Sequence, residues 1–252
     1  MEAVAGWILA VTAVLLSVAV VSTRRPAESA GSQPPGFSAH LARWSDLHGD
    51  LDPNADSLVR RWLRFVHRLA RWPARAGLAP DVLSLTAVWL AGAAATTGVA
   101  GGRWPLLGAA AVAATGVVDG LDGAVAILAG KVTRRGRIVD SVCDRVADGL
   151  LLAGFVALGG SGWVALAAAV AILGLETTRA AGLRRGRMGR LTPGERPTRL
   201  VLAGLGMIVA GCVPGEAGWV ATVASAVTAV VVGGSCAVLA VDLGFRSTRL
   251  VR

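Results

Sequence analysis

The sequence predicts an all-α, polytopic membrane protein with a six-helix transmembrane core, an N-terminal transmembrane anchor and an interfacial amphipathic helix. Hydrophobic residues make up 54% of the 252 positions and charged residues only 16%, against roughly 25% charged residues in soluble domains. The apolar residues fall in blocks of about 20, the length that spans a bilayer as a helix. The 25 Lys and Arg outnumber the 16 Asp and Glu and cluster between the blocks, as they do on the cytoplasmic side of membrane proteins. This pattern argues against a soluble two-domain enzyme, a disordered chain and a nucleic-acid-binding protein.

The first 57 residues precede the predicted core. An apolar block near the N-terminus has no basic residue before it and is followed by Arg24 and Arg25. A cleaved signal peptide, the alternative, has the opposite order of charge, so residues 1–25 are predicted to be an uncleaved anchor with its N-terminus outside. Residues 26–57 are rich in Pro, Ser, Gly and Asp and predict a flexible linker that ends in a helix cap at Asp56.

Residues 58–76 predict an amphipathic helix that lies in the membrane interface. One stripe at helical spacing is apolar: Leu58, Trp62, Phe65, Leu69 and Trp72. A second stripe is basic: Arg60, Arg64, Arg68, Arg71 and Arg75. A charged face on a soluble helix is the alternative, and the adjoining membrane spans favour the interface.

Residues 77–252 contain the six predicted spans of the core. The spans are 82–100, 104–128, 137–158, 161–178, 199–213 and 217–241. The loops between them alternate between strongly basic and almost uncharged, and Arg103 alone falls on the outer side. Because basic loops stay in the cytoplasm, the predicted location is the inner (plasma) membrane, with the basic loops and the C-terminus facing the cytoplasm. Tryptophans open spans at the outer side, as interfacial anchors do: Trp7, Trp104, Trp163 and Trp219.

Five aspartates gather at the predicted cytoplasmic ends of two successive spans. They are Asp119, Asp122, Asp140, Asp144 and Asp148. The first two are three residues apart and the next two are four apart, so each pair shares a helical face. Carboxylates brought face to face repel unless cations lie between them, and hard oxygen ligands suit Mg²⁺ or Mn²⁺, here two ions. Helix capping or pairing with Arg137 or Arg145 is the structural alternative for any single Asp. It does not explain why four acids recur at spacings of three and four on two adjoining helices. The sequence therefore predicts a metal centre of the kind that serves transfer at phosphorus.

Three glycines accompany these acids: Gly120, Gly123 and Gly136. Each removes a side chain beside a carboxylate. The glycines either let helices approach closely or admit a phosphate group against the backbone, and the sequence leaves both readings open.

The acids and glycines together resemble the signature of the CDP-alcohol phosphotransferase (CDP-alcohol phosphatidyltransferase) family. Residues 119–144 match D-x2-D-G-x2-A-R-x8-G-x3-D-x3-D at every position except the Arg, which is Ile127 here. Residues 77–84, GLAPDVLS, resemble the family's opening to its first core helix, and the six predicted spans resemble its six-helix core. Residues 1–57 lie outside the resemblance.

The resemblance implies a role for each matching position. The implied metal ligands are Asp119, Asp122, Asp140 and Asp144. The implied CDP-binding residues are Asp119, Asp122, Gly123, Ala126, Lys131 and Gly136. Asp144 would also be the catalytic general base, and Lys131 would reach the nucleotide phosphates in place of the missing Arg. The implied reaction is attack of an alcohol on the lipid-side phosphorus of CDP-diacylglycerol, with CMP leaving.

The acceptor is predicted to be a phosphorylated polyol, either inositol phosphate or glycerol 3-phosphate. Residues 195–199, ERPTR, resemble the segment that grips the acceptor's phosphate in actinobacterial phosphatidylinositol phosphate synthases, and residues 143–149 resemble the same subgroup. The predicted acceptor-binding residues are Arg137, Arg179, Arg196 and Arg199. Ordinary positive-inside loop charges are the alternative explanation for these arginines.

The predicted function is therefore phosphatidyl transfer in phospholipid biosynthesis, by a homodimer whose partners are CDP-diacylglycerol, a polar alcohol and the lipid bilayer. A catalytically degenerate member of the family is the first alternative, because Ile127 replaces the signature Arg. An ion or proton transporter is the second, although its acids would be spread through the membrane depth rather than gathered at one end. Cys143, Cys212 and Cys236 lack metal-site spacing and are predicted to be buried thiols.

Overall fold

The computed structural model describes residues 35–47, 52–186 and 190–248. The predicted anchor at residues 1–25 lies outside the described residues. Eight α-helices are described: α1 (Phe37–Leu47), α2 (Ser57–Arg75), α3 (Pro80–Ala100), α4 (Pro105–Leu128), α5 (Arg134–Ala157), α6 (Gly162–Arg184), α7 (Arg196–Cys212) and α8 (Ala217–Thr248). A 3₁₀ turn, Pro214–Glu216, precedes α8. No β-strand occurs within the described ranges, so the all-α class is confirmed.

Four segments of the described chain are long and apolar enough to cross a bilayer: Pro80–Ala100, Pro105–Leu128, Gly162–Arg184 and Pro214–Gly244. They correspond to four of the six predicted spans. The other two predicted spans are also helical, as α5 and α7, but do not meet the same criterion. The reason is local, because the first half of α5 carries three Arg and two Asp before Arg145, and α7 has only 17 residues and begins with Arg196.

Contacts divide the described chain into two compact units. The first unit comprises the described residues up to 89 together with 114–144. The second unit comprises residues 90–113, 145–186 and 190–248. Helices α3, α4 and α5 contribute residues to both units.

The predicted linker contains a helix, α1, which packs against α2 in the first unit. Its inward residues include His40 and Leu41, both buried, and the His40 ring lies 4.9 Å from the ring of His67 on α2. Phe37, His40 and Leu41 follow helical spacing, but the surrounding Pro, Ser and Gly residues masked that signal. Burial, with His67 adding to it, lowers the pKa of His40 to about 4. Burial also lowers the pKa of His67, with Arg71 contributing, so both rings are neutral at pH 7.

Helix α2 presents three faces rather than the two that its sequence predicts. Asp56 caps its start, as predicted, since the Asp56 carboxylate accepts a hydrogen bond from the Leu58 backbone N–H at 2.7 Å. One face, which includes Val66 and Ala70, packs against Ala124, Val125 and Leu128 of α4. The predicted apolar stripe stays exposed: Leu58, Trp62, Phe65, Leu69 and Trp72. The arginines form the third face, so the helix is attached to α4 while a second apolar face remains available to lipid.

The second unit is built around α8. Helix α6 packs along α8, and α7 also packs against it. The core between them is formed largely by small and aliphatic side chains, among them Ala168, Ile172, Met207 and Val232. Trp104, Trp163 and Trp219 at the helix starts are 57%, 82% and 67% exposed, which suits side chains that anchor helices at a membrane interface.

Helices α3 and α5 approach closely within this unit because glycines line their contact. A Cβ at Gly98 would meet the carbonyl oxygen of Gly154, and a Cβ at Gly154 would lie 2.8 Å from the Cα of Ala95. Small residues allow such backbone approach in membrane helices, where van der Waals packing drives association. A side chain at either position forces the two helices apart.

We expect Gly154→Ala to destabilise the protein by about 1–3 kcal/mol through overpacking. Gly149→Ala on the same helix is the matched control, because a Cβ there meets no atom within 4 Å and removes a helix-weakening glycine. Thermal unfolding of the purified protein in detergent should show a lower Tm for Gly154→Ala and an unchanged or higher Tm for Gly149→Ala. Equal Tm values for the two variants would contradict close α3–α5 packing.

Candidate active site

Three of the predicted acids meet in the first unit. One carboxylate oxygen each from Asp119 on α4 and from Asp140 and Asp144 on α5 lie within 4.8 Å of one another, and all three residues are half-buried. Carboxylates so close repel one another strongly unless a cation or a proton lies between them. The arrangement therefore concentrates three carboxylates in one part of the first unit.

The turn between α4 and α5 places these acids together. Gly130 ends α4 in the left-handed region, at φ 62°, where glycine meets no Cβ penalty. Lys131 N–H then bonds back to the carbonyl of Ala126 at 2.8 Å. Thr133 caps α5, since its Oγ1 accepts from the backbone N–H of Gly136 at 3.0 Å. The short connection makes α4 and α5 consecutive neighbours with their acidic faces together.

The donor set fits a divalent cation that prefers oxygen. Mg²⁺ binds oxygens at about 2.0–2.1 Å in an octahedron, which puts neighbouring ligand oxygens about 3–4 Å apart. Oxygens already within 4.8 Å of one another need only small side-chain adjustments to reach that geometry. Asp119, Asp140 and Asp144 are therefore the residues that would hold such an ion.

Asp122, the fourth predicted ligand, lies beside this cluster and is held by a partner of its own. It is only 6% exposed, neighbours Asp140, and accepts a 2.6 Å hydrogen bond from Ser84 Oγ on α3. Ser84 belongs to the segment that resembles the family's first core helix, but its sequence context gave it no role. Its hydroxyl fixes the orientation of one Asp122 oxygen.

The three glycines have different surroundings. A Cβ at Gly120 would lie 3.0 Å from Trp62 Cζ2 and 3.1 Å from Val66 Cγ1, so this glycine lets α2 approach α4. A Cβ at Gly136 would lie 3.2 Å from Thr133 Oγ1. Gly123 is exposed, and a Cβ there would meet no atom within 4 Å. The fold does not require glycine at 123, which leaves open space beside Asp122 for a bound molecule.

The position of the missing signature Arg is buried in the structure. Ile127 is 9% exposed, so its side chain packs inside the protein. Lys131, expected to act in its place, has its Nζ 3.5 Å from the carbonyl oxygen of Gly77 just before α3. Ala126 is half-buried on the same turn of α4.

A network of opposite charges occupies the second unit and involves predicted acceptor-binding residues. Arg199, 5% exposed, lies 3.0 Å from a Glu176 oxygen and 3.3 Å from Asp148 Oδ2. Glu176 also accepts a 2.8 Å hydrogen bond from Arg145. Two further Arg199 donors, Nε and Nη1, are buried and have no hydrogen-bond acceptor among the described residues. The network fixes the guanidinium while leaving part of its donor fork available.

Glu176 was missed as a site residue. The signal was present, because it is an acidic residue inside the apolar segment predicted to span residues 161–178, and charged groups within spans are costly unless they serve a function. Its partners could not be identified from sequence, since Arg145 and Arg199 are 31 and 23 residues away.

The remaining predicted arginines have separate environments. Arg179 is ion-paired with Glu195, whose Oε1 also accepts from the Thr192 backbone N–H and hydroxyl, each at 3.0 Å. Arg196 is buried, at 8% exposed. Arg137 belongs to the first unit, on the first turn of α5, and is exposed. The structure thus places Arg179, Arg196 and Arg199 in one unit and Arg137 in the other.

We expect the purified protein to bind Mn²⁺ at the acidic cluster, and Asp140→Asn to weaken that binding by at least about tenfold, because a carboxylate ligand and its charge are lost. Electron paramagnetic resonance of free Mn²⁺ during a titration measures this directly. Asp46→Asn removes the same charge from an exposed position on α1 and should leave the affinity unchanged. Equal losses in the two variants would mean that the ion binds only through the general charge of the protein.

Comparisons with known proteins agree with this geometry. A family model described as CDP-alcohol phosphatidyltransferase matches residues 77–232. The phosphatidylinositol phosphate synthase of Mycobacteroides abscessus is 36% identical over 172 residues, which are 61% of this chain and 75% of the relative. That of Mycolicibacterium smegmatis is 34% identical over 187 residues, 66% of this chain and 81% of the relative. The archaetidylinositol phosphate synthase of Methanothermobacter thermautotrophicus is 39% identical over 99 residues, 39% of this chain and 48% of the relative.

Solved structures give the same answer. The phosphatidylinositol phosphate synthase of Mycobacterium tuberculosis with CDP-DAG bound superposes with a TM-score of 0.60 at 26% identity, covering 71% of this chain and 94% of that one. The same enzyme in complex with manganese and citrate gives a TM-score of 0.60 at 25% identity, covering 71% and 88%. Because the family model spans more than half of the sequence and includes every residue of the acidic cluster, this chain belongs to the CDP-alcohol phosphatidyltransferase family.

Proposed function

We propose that this membrane enzyme transfers the phosphatidyl group of CDP-diacylglycerol to inositol phosphate and releases CMP. The observation that carries the proposal is the convergence of Asp119, Asp140 and Asp144 beside the open space at Gly123. The substrate assignment draws on a relative solved with CDP-DAG bound and on relatives named as synthases of inositol phosphate lipids.

Each acidic residue would have a definite task in the reaction. Asp119, Asp122 and Asp140 would hold the diphosphate of CDP-diacylglycerol together with two Mg²⁺ or Mn²⁺ ions. Asp144 would accept the proton of the attacking hydroxyl, so that the acceptor oxygen forms a bond to the lipid-side phosphorus as the bond to CMP breaks. Divalent cations bound there would stabilise the charge that develops at the transferring phosphorus. Asp144 would then release the proton to water.

The pocket for the nucleotide would lie next to the acids on α4 and α5. Gly123, Ala126 and Gly136 would line it, since these small residues leave room along the helices. Lys131, whose ammonium contacts Gly77, would need to move to reach a phosphate. Since Ile127 contributes no charge, the nucleotide phosphates would depend more heavily on the acids and their ions than in relatives that keep the Arg.

Inositol phosphate is favoured over glycerol 3-phosphate as the acceptor. The two kinds of relative, phosphatidylinositol phosphate and archaetidylinositol phosphate synthases, differ in the lipid part of their names and share the inositol phosphate part. Arg179, Arg196 and Arg199 would bind the acceptor's phosphate. Arg199, which is buried and has two donors without an acceptor among the described residues, suits a phosphate because the guanidinium fork matches its oxygens.

The membrane arrangement completes the proposal. The alternation of basic and uncharged loops supports an inner (plasma) membrane enzyme whose active site faces the cytoplasm. Exposed apolar side chains on α6, α7 and α8 would contact lipid or, in the homodimer that we propose, a second copy of the chain. Diacylglycerol tails would then stay in the bilayer while the diphosphate reaches the acids.

We expect the protein with Mn²⁺ and CDP-diacylglycerol to release CMP when inositol phosphate is supplied, and Asp144→Asn to lower kcat by about 10²–10⁴ through loss of the general base. Release of radiolabelled CMP is the measurement, at Mn²⁺ concentrations that saturate both forms. Asp46→Asn serves as the control and should retain full turnover.

Two outcomes would count against this assignment. Undiminished turnover in Asp144→Asn would show that Asp144 is not the general base. Absence of turnover in the unaltered protein with any phosphorylated or neutral alcohol would favour the degenerate alternative that Ile127 suggests.

We expect Arg199→Lys to raise the KM for inositol phosphate by about tenfold while leaving the KM for CDP-diacylglycerol unchanged, because lysine keeps the charge but loses the fork. Arg184→Lys, at the exposed end of α6, is the matched control. Steady-state kinetics with each substrate varied in turn separates the two constants. A parallel rise in both KM values would show that Arg199 acts on the fold rather than on the acceptor.

A further inference from the structure

A cavity lies in the first unit, between the start of α1 and the basic face of α2. Its volume is about 330 Å³, large enough for a small polar ligand. The lining includes Gly36, Phe37, Arg64, His67, Arg68 and Arg71. None of these residues belongs to the acidic cluster or to the proposed acceptor site.

The cavity concentrates positive charge without compensation. Arg64, Arg68 and Arg71 follow one another at spacings of four and three along α2, so they share a face. Within the described ranges, none of the three has a carboxylate partner. Like charges at this spacing destabilise a helix, and an anion between them would reverse that effect.

The start of α1 borders the same cavity at Gly36 and Phe37. The first backbone bond of this 11-residue helix runs from the His40 N–H to the Gly36 carbonyl at 3.0 Å, so the N–H groups of Phe37, Ser38 and Ala39 have no acceptor within the helix. No acidic residue stands in its first turn to satisfy them. Helix N-termini with free N–H groups favour anions, and phosphate above all.

The wall of the cavity contains a buried polar group, His67. His67 is 7% exposed, and its Nδ1 has no hydrogen-bond partner among the described residues. Its ring is held edge-on by Phe37 at 5.4 Å and by His40 at 4.9 Å. The Arg64 guanidinium lies 5.4 Å from the centre of the Phe37 ring, an arrangement that stabilises a cation over an aromatic face. These contacts position His67 and Arg64 in the lining of the cavity.

We propose that this cavity binds the phosphate group of an anionic phospholipid headgroup. Three arginines and a helix N-terminus form a donor set that suits the several oxygens of a phosphate better than a single carboxylate. The source is lipid because the same helix exposes the apolar side chains of Trp62, Phe65, Leu69 and Trp72, which would place α2 at the depth of the headgroups. Bound lipid would fasten α1 and α2 to the bilayer surface.

The test is equilibrium binding to the full-length protein in uncharged detergent, with EDTA present so that metal-dependent binding at the acidic cluster is absent. Short-chain phosphatidylglycerol should bind at least about tenfold more tightly than phosphatidylcholine of the same chain length. Arg68→Gln and Arg64→Gln should each weaken phosphatidylglycerol binding by about tenfold, as expected when one charge-assisted contact is lost. Arg60→Gln, on the same helix but outside the cavity, should change it by less than about twofold. Isothermal titration calorimetry measures the affinity of the unaltered protein and of the three variants.

A second titration with inorganic phosphate tests whether the ligand is a free phosphate rather than a lipid headgroup. If it binds as tightly as phosphatidylglycerol and with the same dependence on Arg68, the site is upheld and the lipid source is overturned. If Arg60→Gln and Arg68→Gln weaken phosphatidylglycerol binding equally, the binding arises from general attraction by a basic helix, and the proposed site is overturned. Failure of phosphatidylglycerol and of phosphate to bind would overturn it as well.

Discussion

The mutual repulsion of carboxylates held together on α4 and α5 is the constraint on which the active site depends. In a medium less polar than water, three such groups within 4.8 Å are stable only with positive charge or protons among them. The fold supplies the framework for this arrangement through the glycine turn after α4, the Thr133 cap of α5 and the Ser84 bond to Asp122.

The protein handles its charged groups differently in different places. In the second unit, Arg199 lies beside the carboxylates of Glu176 and Asp148. Their negative charge offsets the desolvation cost of burying the guanidinium and fixes its orientation. In the acidic cluster three carboxylates meet, and in the cavity beside α1 three arginines gather with no carboxylate partner within the described ranges. A charge that is balanced positions a side chain, whereas like charges gathered in one place create affinity for an ion or a ligand of opposite sign.

Glycine illustrates how one residue type serves packing and ligand access in the same fold. Gly154 and Gly120 stand where a Cβ would collide with neighbouring atoms, so their absence of a side chain is required by helix contacts. Gly123 has nothing around it, although glycine weakens a helix by about 0.5–1 kcal/mol relative to alanine. No helix contact requires glycine at 123, which is compatible with the role in substrate binding that we propose for it.

The sequence alone determined the helical class, the approximate bounds of the core helices, the Asp56 cap and the family, because each depends on local periodicity or on the spacing of acids along adjoining helices. Tertiary structure decided which three acids meet, that Ser84 holds Asp122, that Glu176 joins Arg145 to Arg199, and that α1 forms within a Pro- and Ser-rich segment. Spacing specifies which residues share a helical face. Which faces meet depends on contacts between distant positions, such as the 38 residues that separate Ser84 from Asp122, and no local pattern encodes those pairings.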